Sequence, residues 1–288
     1  MQGLPFLLVI LSAIAHGYWN FLFKQAENKD AFLCLSKLVE PLLYLAPFVV
    51  AVAIWGFPLS SLWYVAVGTL LAVANYICLA HSYKRLDLTV AYPVSRSSTI
   101  FLPFLAFLLF DESIDSVGWL SVIIVSLGVL IIPRASFRFR SLAGTVRVSG
   151  WGVAFAVLAA LTVALYTLWG KVAVRHLHPF LYMYGYTLAS NAYFLPLLRR
   201  VGREEVRGEW QRNRWRILAV SALNTLSFVL ILFALSLGKV TYVGALRQLS
   251  LVVGVGLGWV VLREAVTGPR VAGVALIIVG ACLTYIAG

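Results

Sequence analysis

The chain has 288 residues, of which 61% are hydrophobic and only 12% charged, and its net charge is +12. A soluble domain carries about 25% charged residues, so this composition excludes a folded aqueous domain and predicts an all-α integral membrane protein. The basic residues stand between apolar runs rather than on one soluble face. They indicate membrane orientation and contact with the lipid bilayer, and no nucleic-acid partner is predicted.

Runs of about 20 apolar residues cross the hydrocarbon core as helices, because a helix satisfies its own backbone hydrogen bonds. The first run lacks a basic start and a small-residue cleavage site, so we interpret it as a mature span and not as a signal peptide. Ten spans, numbered 1 to 10 below, are predicted at residues 4–23, 32–55, 61–81, 88–110, 116–133, 150–171, 178–198, 215–237, 240–262 and 268–287. Of the links between them, only 134–149 and 199–216 are clearly polar.

Spans 3 to 5 recur along the chain as spans 8 to 10. The repeat is carried by four pairs of residues at nearly one spacing: Tyr83 with Ala234, Arg96 with Arg247, Glu112 with Glu264, and Gly128 with Gly280. Spans 1 and 6 share a weaker pattern, in which an aromatic residue is followed by Asn or Thr and then by a terminal Lys24 or Lys171. Duplicated membrane halves with matching charges inside spans are typical of a transporter built around a central site.

The basic linker 134–149 divides the chain into an N-terminal half, 1–133, and a C-terminal half, 150–288. Because each half holds an odd number of spans, the second half enters the membrane in the opposite sense, and we predict two inverted five-helix repeats. Most lysines and arginines follow odd-numbered spans, which the positive-inside rule places in the cytoplasm. The prediction is a multi-pass protein of the cell (inner) membrane with both termini outside.

Arg96 and Arg247 lie inside spans 4 and 9, where an ionisable residue costs at least about 2.5–3.5 kcal/mol and needs a partner, a water-filled cavity or a function. Inverted symmetry places them on either side of the midplane, and Gln248 adjoins the second. The arginine fork suits a carboxylate or a phosphate, so we predict an anion-binding pair along the transport pathway. The alternative is a structural pair bonded to backbone carbonyls or to Glu40.

Lys37 and Glu40 are three residues apart on span 2 and therefore share one helical face. Two interpretations are open for Glu40: it is a partner of Lys37 in an internal ion pair, or it is a protonatable coupling residue. Lys37 can alternatively extend to the cytoplasmic surface. His16, with Trp19 and Asn20 beside it, is a substrate contact, a proton relay or a hydrogen-bonded helix-packing histidine.

The remaining candidates are amides and tyrosines. Asn75 of span 3 and Asn224 of span 8 are candidate substrate ligands because an amide inside a span needs a hydrogen-bond partner. Tyr182 and Tyr186 share one face of span 7, and Tyr166 of span 6 is placed with them. These rings form either the wall of an aromatic cavity or part of an interfacial belt.

Two features of the sequence resemble the EamA family of the drug/metabolite transporter superfamily. Span 1 ends in His16-x-x-Trp19-Asn20-x-x-x-Lys24, and the glutamates after spans 4 and 9 are each followed nine residues later by Ser121 or Gly273. The first motif looks like that of a branch partly associated with phosphonate metabolism. The resemblance covers essentially the whole chain and implies a ten-helix secondary transporter with a central cavity. One departure is Asp111 before Glu112, where the family commonly has Gly-Glu.

We therefore predict a secondary transporter of a small organic anion or zwitterion (an amino acid or related metabolite, including phosphonate- or phosphate-bearing ones) that works by alternating access and is coupled to protons through Glu40 or His16. The alternative is an exporter or flippase of amphipathic drugs or lipids. No nucleophile, metal cluster or P-loop is present in the sequence, so no enzyme activity, cofactor or metal is predicted. A monomer or a homodimer is expected, with Gly254 and Gly258 as a small-residue surface.

Overall fold

The computed structural model describes residues 3–86, 88–133 and 150–287, and within these ranges the chain is helical without any strand. The predicted basic linker 134–149 lies outside the described residues. The α-helices are α1 Leu4–Lys24, α2 Lys29–Leu43, α3 Leu45–Trp55, α4 Leu62–Tyr83, α5 Leu88–Ser95, α6 Ser98–Phe110, α7 Ser116–Ile131, α8 Gly150–Ala173, α9 Pro179–Arg200, α10 Arg203–Leu237, α11 Val240–Leu246, α12 Leu249–Val260 and α13 Gly268–Ala287. A short 3-10 turn, Leu59–Ser61, directly precedes α4.

Length and hydropathy identify most of these helices as membrane spans. The 7 segments that qualify are Leu4–Lys24, Leu59–Tyr83, Pro93–Phe110, Gly150–Ala173, Arg203–Leu237, Val240–Val260 and Gly268–Ala287. An eighth is formed if α2 and α3, which meet at a bend of 45°, count as one span. The apolar α7 has only 16 residues, and α9 does not qualify. The chain is thus a multi-pass membrane protein, and helix occurs in all ten predicted ranges although only seven or eight meet the criterion for a span.

Spans 4 and 9 are broken at their arginines. The break between α5 and α6 falls at Arg96 and Ser97, and the break between α11 and α12 falls at Arg247 and Gln248. At each break the chain turns tightly, because the N–H of Ser97 and that of Gln248 bond to carbonyls three residues back. Discontinuous helices of this kind are typical of binding sites in secondary transporters.

The polar segment 199–216 was predicted as a link, and that prediction is wrong. Most of it is the first part of α10, a helix of 35 residues that begins at Arg203. A helix of that length extends about 52 Å and exceeds the hydrocarbon core by about 20 Å. The extension folds because one of its faces is buried: Glu209 is 0% exposed and accepts hydrogen bonds from the Asn28 backbone and from Asn213.

The ends of α1 and α8 lie at opposite ends of α10. Asn28, which follows α1, bonds to Glu209 near the start of α10, whereas Lys171 at the end of α8 donates to the Gly238 carbonyl just beyond its other end. Residues 209 and 238 are separated by about 44 Å at 1.5 Å per residue. The first helices of the two halves therefore end at opposite ends of the bundle.

The two halves also meet along α7 and α13, where their glycines allow the backbones to touch. A Cβ added to Gly128 would stand 2.7 Å from the Gly273 carbonyl oxygen, and one added to Gly273 would stand 2.8 Å from that of Gly128. Thr284 and Ser121 add a hydrogen bond of 3.1 Å across the same interface. Matched elements of the two repeats thus form one close, reciprocal contact.

Candidate functional site

A cavity of about 450 Å³ lies between the two halves, bounded by α1, the break in span 4, the end of α7, α12 and the start of α13. This volume is within the usual range for a small-molecule site. Its polar lining consists of His16, Asn20, Lys24, Arg96, Ser250, Glu264 and Arg270. Three permanent cations against one carboxylate make the lining basic.

His16 presents a hydrogen-bond donor without an acceptor. Its Nδ1 accepts from Trp19 Nε1 at 3.3 Å, which leaves the proton of the neutral ring on Nε2. Nε2 is buried and has no hydrogen-bond partner among the residues that the structure describes. Asn20 holds the same turn of α1 by donating to the His16 carbonyl at 2.7 Å. The cations Arg247, Arg96 and Lys37 are close enough to act electrostatically on this ring.

Arg247 is a half-buried cation at the break in span 9. Within the described part of the chain, its side chain has neither an ion-pair nor a hydrogen-bond partner. Its electrostatic neighbours are His16 and Tyr76, and Gln248 beside it is 6% exposed. A guanidinium that is partly shielded from water gains from an anionic partner, so this position is suited to a ligand carboxylate or phosphate.

The buried carboxylate of Glu40 is paired. Lys37 Nζ lies 3.0 Å from Glu40 Oε1, and Asn224 Nδ2 donates to the same oxygen at 2.8 Å. Lys37 is 9% exposed and therefore does not extend to the surface. The internal ion pair is present, and coupling through Glu40 or His16 stays a prediction. Tyr76, which the sequence reading did not single out, lies against Lys37; its only signal was its place beside Asn75.

The tyrosines divide into two groups. Tyr186 is close to Glu40, Tyr76 and Tyr166, and its ring centroid lies 4.9 Å from that of Phe228. These rings therefore form an aromatic wall beside Glu40. Tyr182 shares their helical face at 6.3 Å from Tyr186 but is only 1% exposed and packs in the core. Burial in the protein core does not fit an interfacial belt.

Asn75 lies apart from these groups. Its amide nitrogen donates to the Ala159 carbonyl at 2.8 Å and to Thr162 Oγ1 at 3.1 Å, which joins α4 to α8. The geometry thus gives Asn75 a helix-packing role, because both donors of the amide are already used. The other predicted residues form two neighbouring groups: the cavity with His16, Asn20 and Arg96, and the polar centre around Glu40, with Arg247 in electrostatic reach of both.

Sequence reasoning placed Glu112 and Glu264 at matched links but did not identify their partners. Glu112 pairs with Lys171 at 3.2 Å, and Glu264 pairs with Lys24, so each bond joins one half of the chain to the other. Glu112 does not cap the helix that follows it, because Asp115 caps α7. The matching lysines at the ends of spans 1 and 6 were a signal for these pairs, but nothing in the order of the chain links each lysine to the glutamate of the opposite half.

The residue before each of these glutamates adopts a left-handed backbone conformation. Asp111 and Arg263 both have φ 53, and the N–H of each following glutamate bonds to a carbonyl six residues back. This geometry explains why a family with Gly-Glu at this position prefers glycine there, since glycine alone adopts positive φ without strain. The same turn at both positions supports the duplication.

The left-handed turn leads to a prediction at Arg263, whose side chain is exposed and makes no hydrogen bond or ion pair with the described residues. A change of stability on substitution therefore reports the backbone conformation alone. We expect melting temperatures in detergent to fall in the order Arg263→Gly, wild type, Arg263→Val, with about 1–2 kcal/mol between the extremes, because a branched side chain is strained at positive φ. The same substitutions at Asp111 are the matched control. A valine variant as stable as the glycine variant would contradict this account.

Comparison with known proteins gives one family and one fold. A solved structure described only as "Crystal structure of protein" is 16% identical and aligns over 99% of each chain with a TM-score of 0.76, which shows a shared fold alone. No curated protein matches the chain. A sequence profile of the EamA-like transporter family matches residues 3–134 and again 150–286, one match for each repeat. Two matches that cover nearly all of a two-repeat helical membrane protein show that the chain belongs to the EamA-like transporter family.

Proposed function

We propose that this transporter moves a small organic anion or zwitterion across the cell inner membrane by alternating access between two inverted five-span repeats. The opposed ends of α1 and α8 along α10 support the inversion. The broken spans 4 and 9 support a central site, because their arginines stand where helix continuity is lost. Transport itself is the property of the family, and the substrate class is the proposal.

The observation that carries the substrate class is a pair of unsatisfied donors. Arg247 has no described partner, and His16 Nε2 is buried without an acceptor. The one carboxylate of the polar centre, Glu40, is already paired with Lys37. A carboxylate, phosphate or phosphonate group of the substrate would accept from both donors and balance the excess of positive charge.

A zwitterion fits the same site through its ammonium group. Lys37 and Asn224 both donate to Oε1 of Glu40, and a substrate amine would donate to the other oxygen of this carboxylate, Oε2. Tyr76 and Tyr186 lie near that carboxylate, with Tyr166 close to both, and offer aromatic faces to a cation. Proton coupling through Glu40 or His16 belongs to this proposal.

Export of amphipathic drugs or lipids is the second candidate, and the aromatic wall beside Glu40 is the observation that favours it. Such substrates are bound mainly by apolar and aromatic surface and need no counter-ion for Arg247. The two candidates therefore predict different ligand classes, anions or zwitterions in the first case and amphipathic or cationic compounds in the second.

A ligand screen by thermal shift tests the proposal. Purified protein in detergent is melted with amino acids, organophosphates, phosphonates and cationic dyes, each near its solubility limit. We expect at least one anionic or zwitterionic class to raise the melting temperature, because a ligand at 100 times its Kd stabilises the native state by about 2.7 kcal/mol.

The Arg247→Gln variant is the control in this screen, and it should lose the shift while keeping its own melting temperature. Stabilisation by the cationic dyes alone would overturn the proposal in favour of drug export.

A further inference from the structure

Two ion pairs connect the halves of the chain at equivalent places in the repeat. Lys24 and Lys171 end the first span of each half, and each pairs with the glutamate that follows the fourth span of the opposite half, Glu264 and Glu112 respectively. We call them the Lys24 pair and the Lys171 pair. Exchange of the two repeats converts one pair into the other.

The two pairs lie at opposite ends of the bundle. The Lys171 pair adjoins Gly238, whose carbonyl accepts a hydrogen bond from Lys171 at 2.6 Å. Lys24 ends α1, and Asn28, four residues later, donates to Glu209, so the end of α1 lies beside Glu209. Along α10 these points are about 44 Å apart, which exceeds the thickness of the hydrocarbon core. Each pair therefore stands at its own membrane surface.

The structure holds the two ends in different states. The side chains of the Lys171 pair are 15% and 9% exposed, whereas those of the Lys24 pair are 55% and 30% exposed. Glu112 is further fixed by the N–H of Val240 at 2.9 Å. At the other end, Lys24, Glu264 and Arg270 line the mouth of the cavity that contains His16 and Arg96.

We propose that the Lys171 pair and the Lys24 pair are the two gates of the transport cycle. In the state described here the Lys171 gate is closed and buried, and the Lys24 gate stands in water at the open mouth. In the opposite state the repeats exchange roles, so that the Lys24 pair becomes buried and the Lys171 pair becomes exposed. Removal of one charge from an exposed ion pair costs little, whereas removal of one charge from an enclosed pair leaves the other charge buried without a partner, so a single substitution at a gate disfavours the state in which that gate is closed.

This inference goes beyond the proposed function, because it requires transport by the two-repeat fold but no particular substrate. It predicts that removal of one charge shifts the population of states and that the two gates shift it in opposite directions. Glu112→Gln is the suitable change at the Lys171 gate, since glutamine removes the charge and keeps a carbonyl oxygen for the Val240 N–H at 2.9 Å. It gives up only the longer bond from the Thr241 N–H to the other carboxylate oxygen, at 3.4 Å. Glu264→Gln is the matched change at the other gate.

Two single-cysteine reporters measure the population in a variant whose native cysteines, Cys34, Cys78 and Cys282, are replaced by alanine. Val243→Cys, at a site that is 0% exposed, lies one helical turn inside the Lys171 gate. Gly254→Cys lies in the lining of the open cavity, where an added Cβ meets no atom within 4 Å. Both are labelled with a hydrophilic maleimide in substrate-free detergent or vesicles, and the initial rates are compared.

We expect Glu112→Gln to raise the labelling rate of Val243→Cys at least about fivefold, which is the lower end of the usual coupling between two sites, and to lower the labelling rate of Gly254→Cys. Glu264→Gln should leave Val243→Cys protected and keep or raise the labelling rate of Gly254→Cys. Lys171→Met breaks the same gate from its other side and should reproduce the effect of Glu112→Gln, which also covers the case in which one of these variants fails to fold.

The proposal would be overturned if Glu112→Gln and Glu264→Gln changed the two labelling rates in the same way, or if neither Glu112→Gln nor Lys171→Met changed them. Because no substrate is added, an error in the proposed substrate class leaves these rates unchanged. The thermal-shift screen and the labelling experiment therefore fail independently of each other.

Discussion

Replacement of Arg247 by glutamine is expected to abolish transport of the anionic substrate without weakening the fold. Removing one charged partner from a buried hydrogen-bonded contact costs about 2–5 kcal/mol, which corresponds to a loss of at least about 30-fold in substrate affinity. The fold is spared because Arg247 has no ion-pair partner among the described residues, so no carboxylate of the protein is left unpaired. The measurement is uptake into proteoliposomes together with the melting temperature.

The pair of readouts separates a ligand arginine from a structural one. A ligand arginine gives lost transport and an unchanged or raised melting temperature, since a cation in a half-buried site has been removed. A structural arginine gives the reverse, lower stability with transport preserved for every anion tested, and this result would contradict the proposal. Arg96→Gln is the comparison at the matching break, at the edge of the cavity.

The second large effect is expected at the buried ion pair of α2. Glu40→Gln leaves the Lys37 cation enclosed without its partner, and breaking a buried pair in this way costs about 3–5 kcal/mol. The double variant Lys37→Met/Glu40→Gln removes both charges and should recover most of the loss of melting temperature. Recovery is expected because an apolar replacement of similar volume needs no counter-ion.

The double variant also tests coupling through Glu40. If Glu40 carries the coupling proton, the variant retains exchange between the two sides for an anionic substrate, which needs no carboxylate ligand, but loses accumulation driven by a proton gradient. Unchanged proton-driven accumulation would show that Glu40 is structural and would leave His16 as the coupling candidate. Measuring counterflow and gradient-driven uptake in the same vesicles distinguishes these outcomes.

Local sequence patterns determined the class of the protein and the position of its helices. Apolar runs mark helices because no other open backbone structure is stable in lipid, and this rule located helix in all ten predicted ranges. The prediction was wrong at 199–216, where the charged residues were interpreted as a link. Most of this segment is the start of α10, which is helical because it packs against the segment after α1.

The candidate site was only partly predictable. Arg96, Arg247, Glu40 and His16 stood out because a charge or an imidazole in an apolar run is unfavourable on its own, and the structure places all four in or around one cavity and one polar centre. Asn75 stood out for the same reason, yet its amide is used by α8. The type of residue identifies a polar group that needs a partner and cannot say whether a helix or a ligand supplies it.

The sequence by itself determined the membrane class, the duplication and the matched lysines, glutamates and arginines, because these follow from residue type and spacing along one chain. Only the tertiary structure decided that the arginines sit at helix breaks, that Lys24 reaches Glu264, and that Lys171 reaches Glu112. Those contacts join residues far apart in the chain. They depend on how one repeat packs against its inverted copy, and no local preference of either repeat encodes that arrangement.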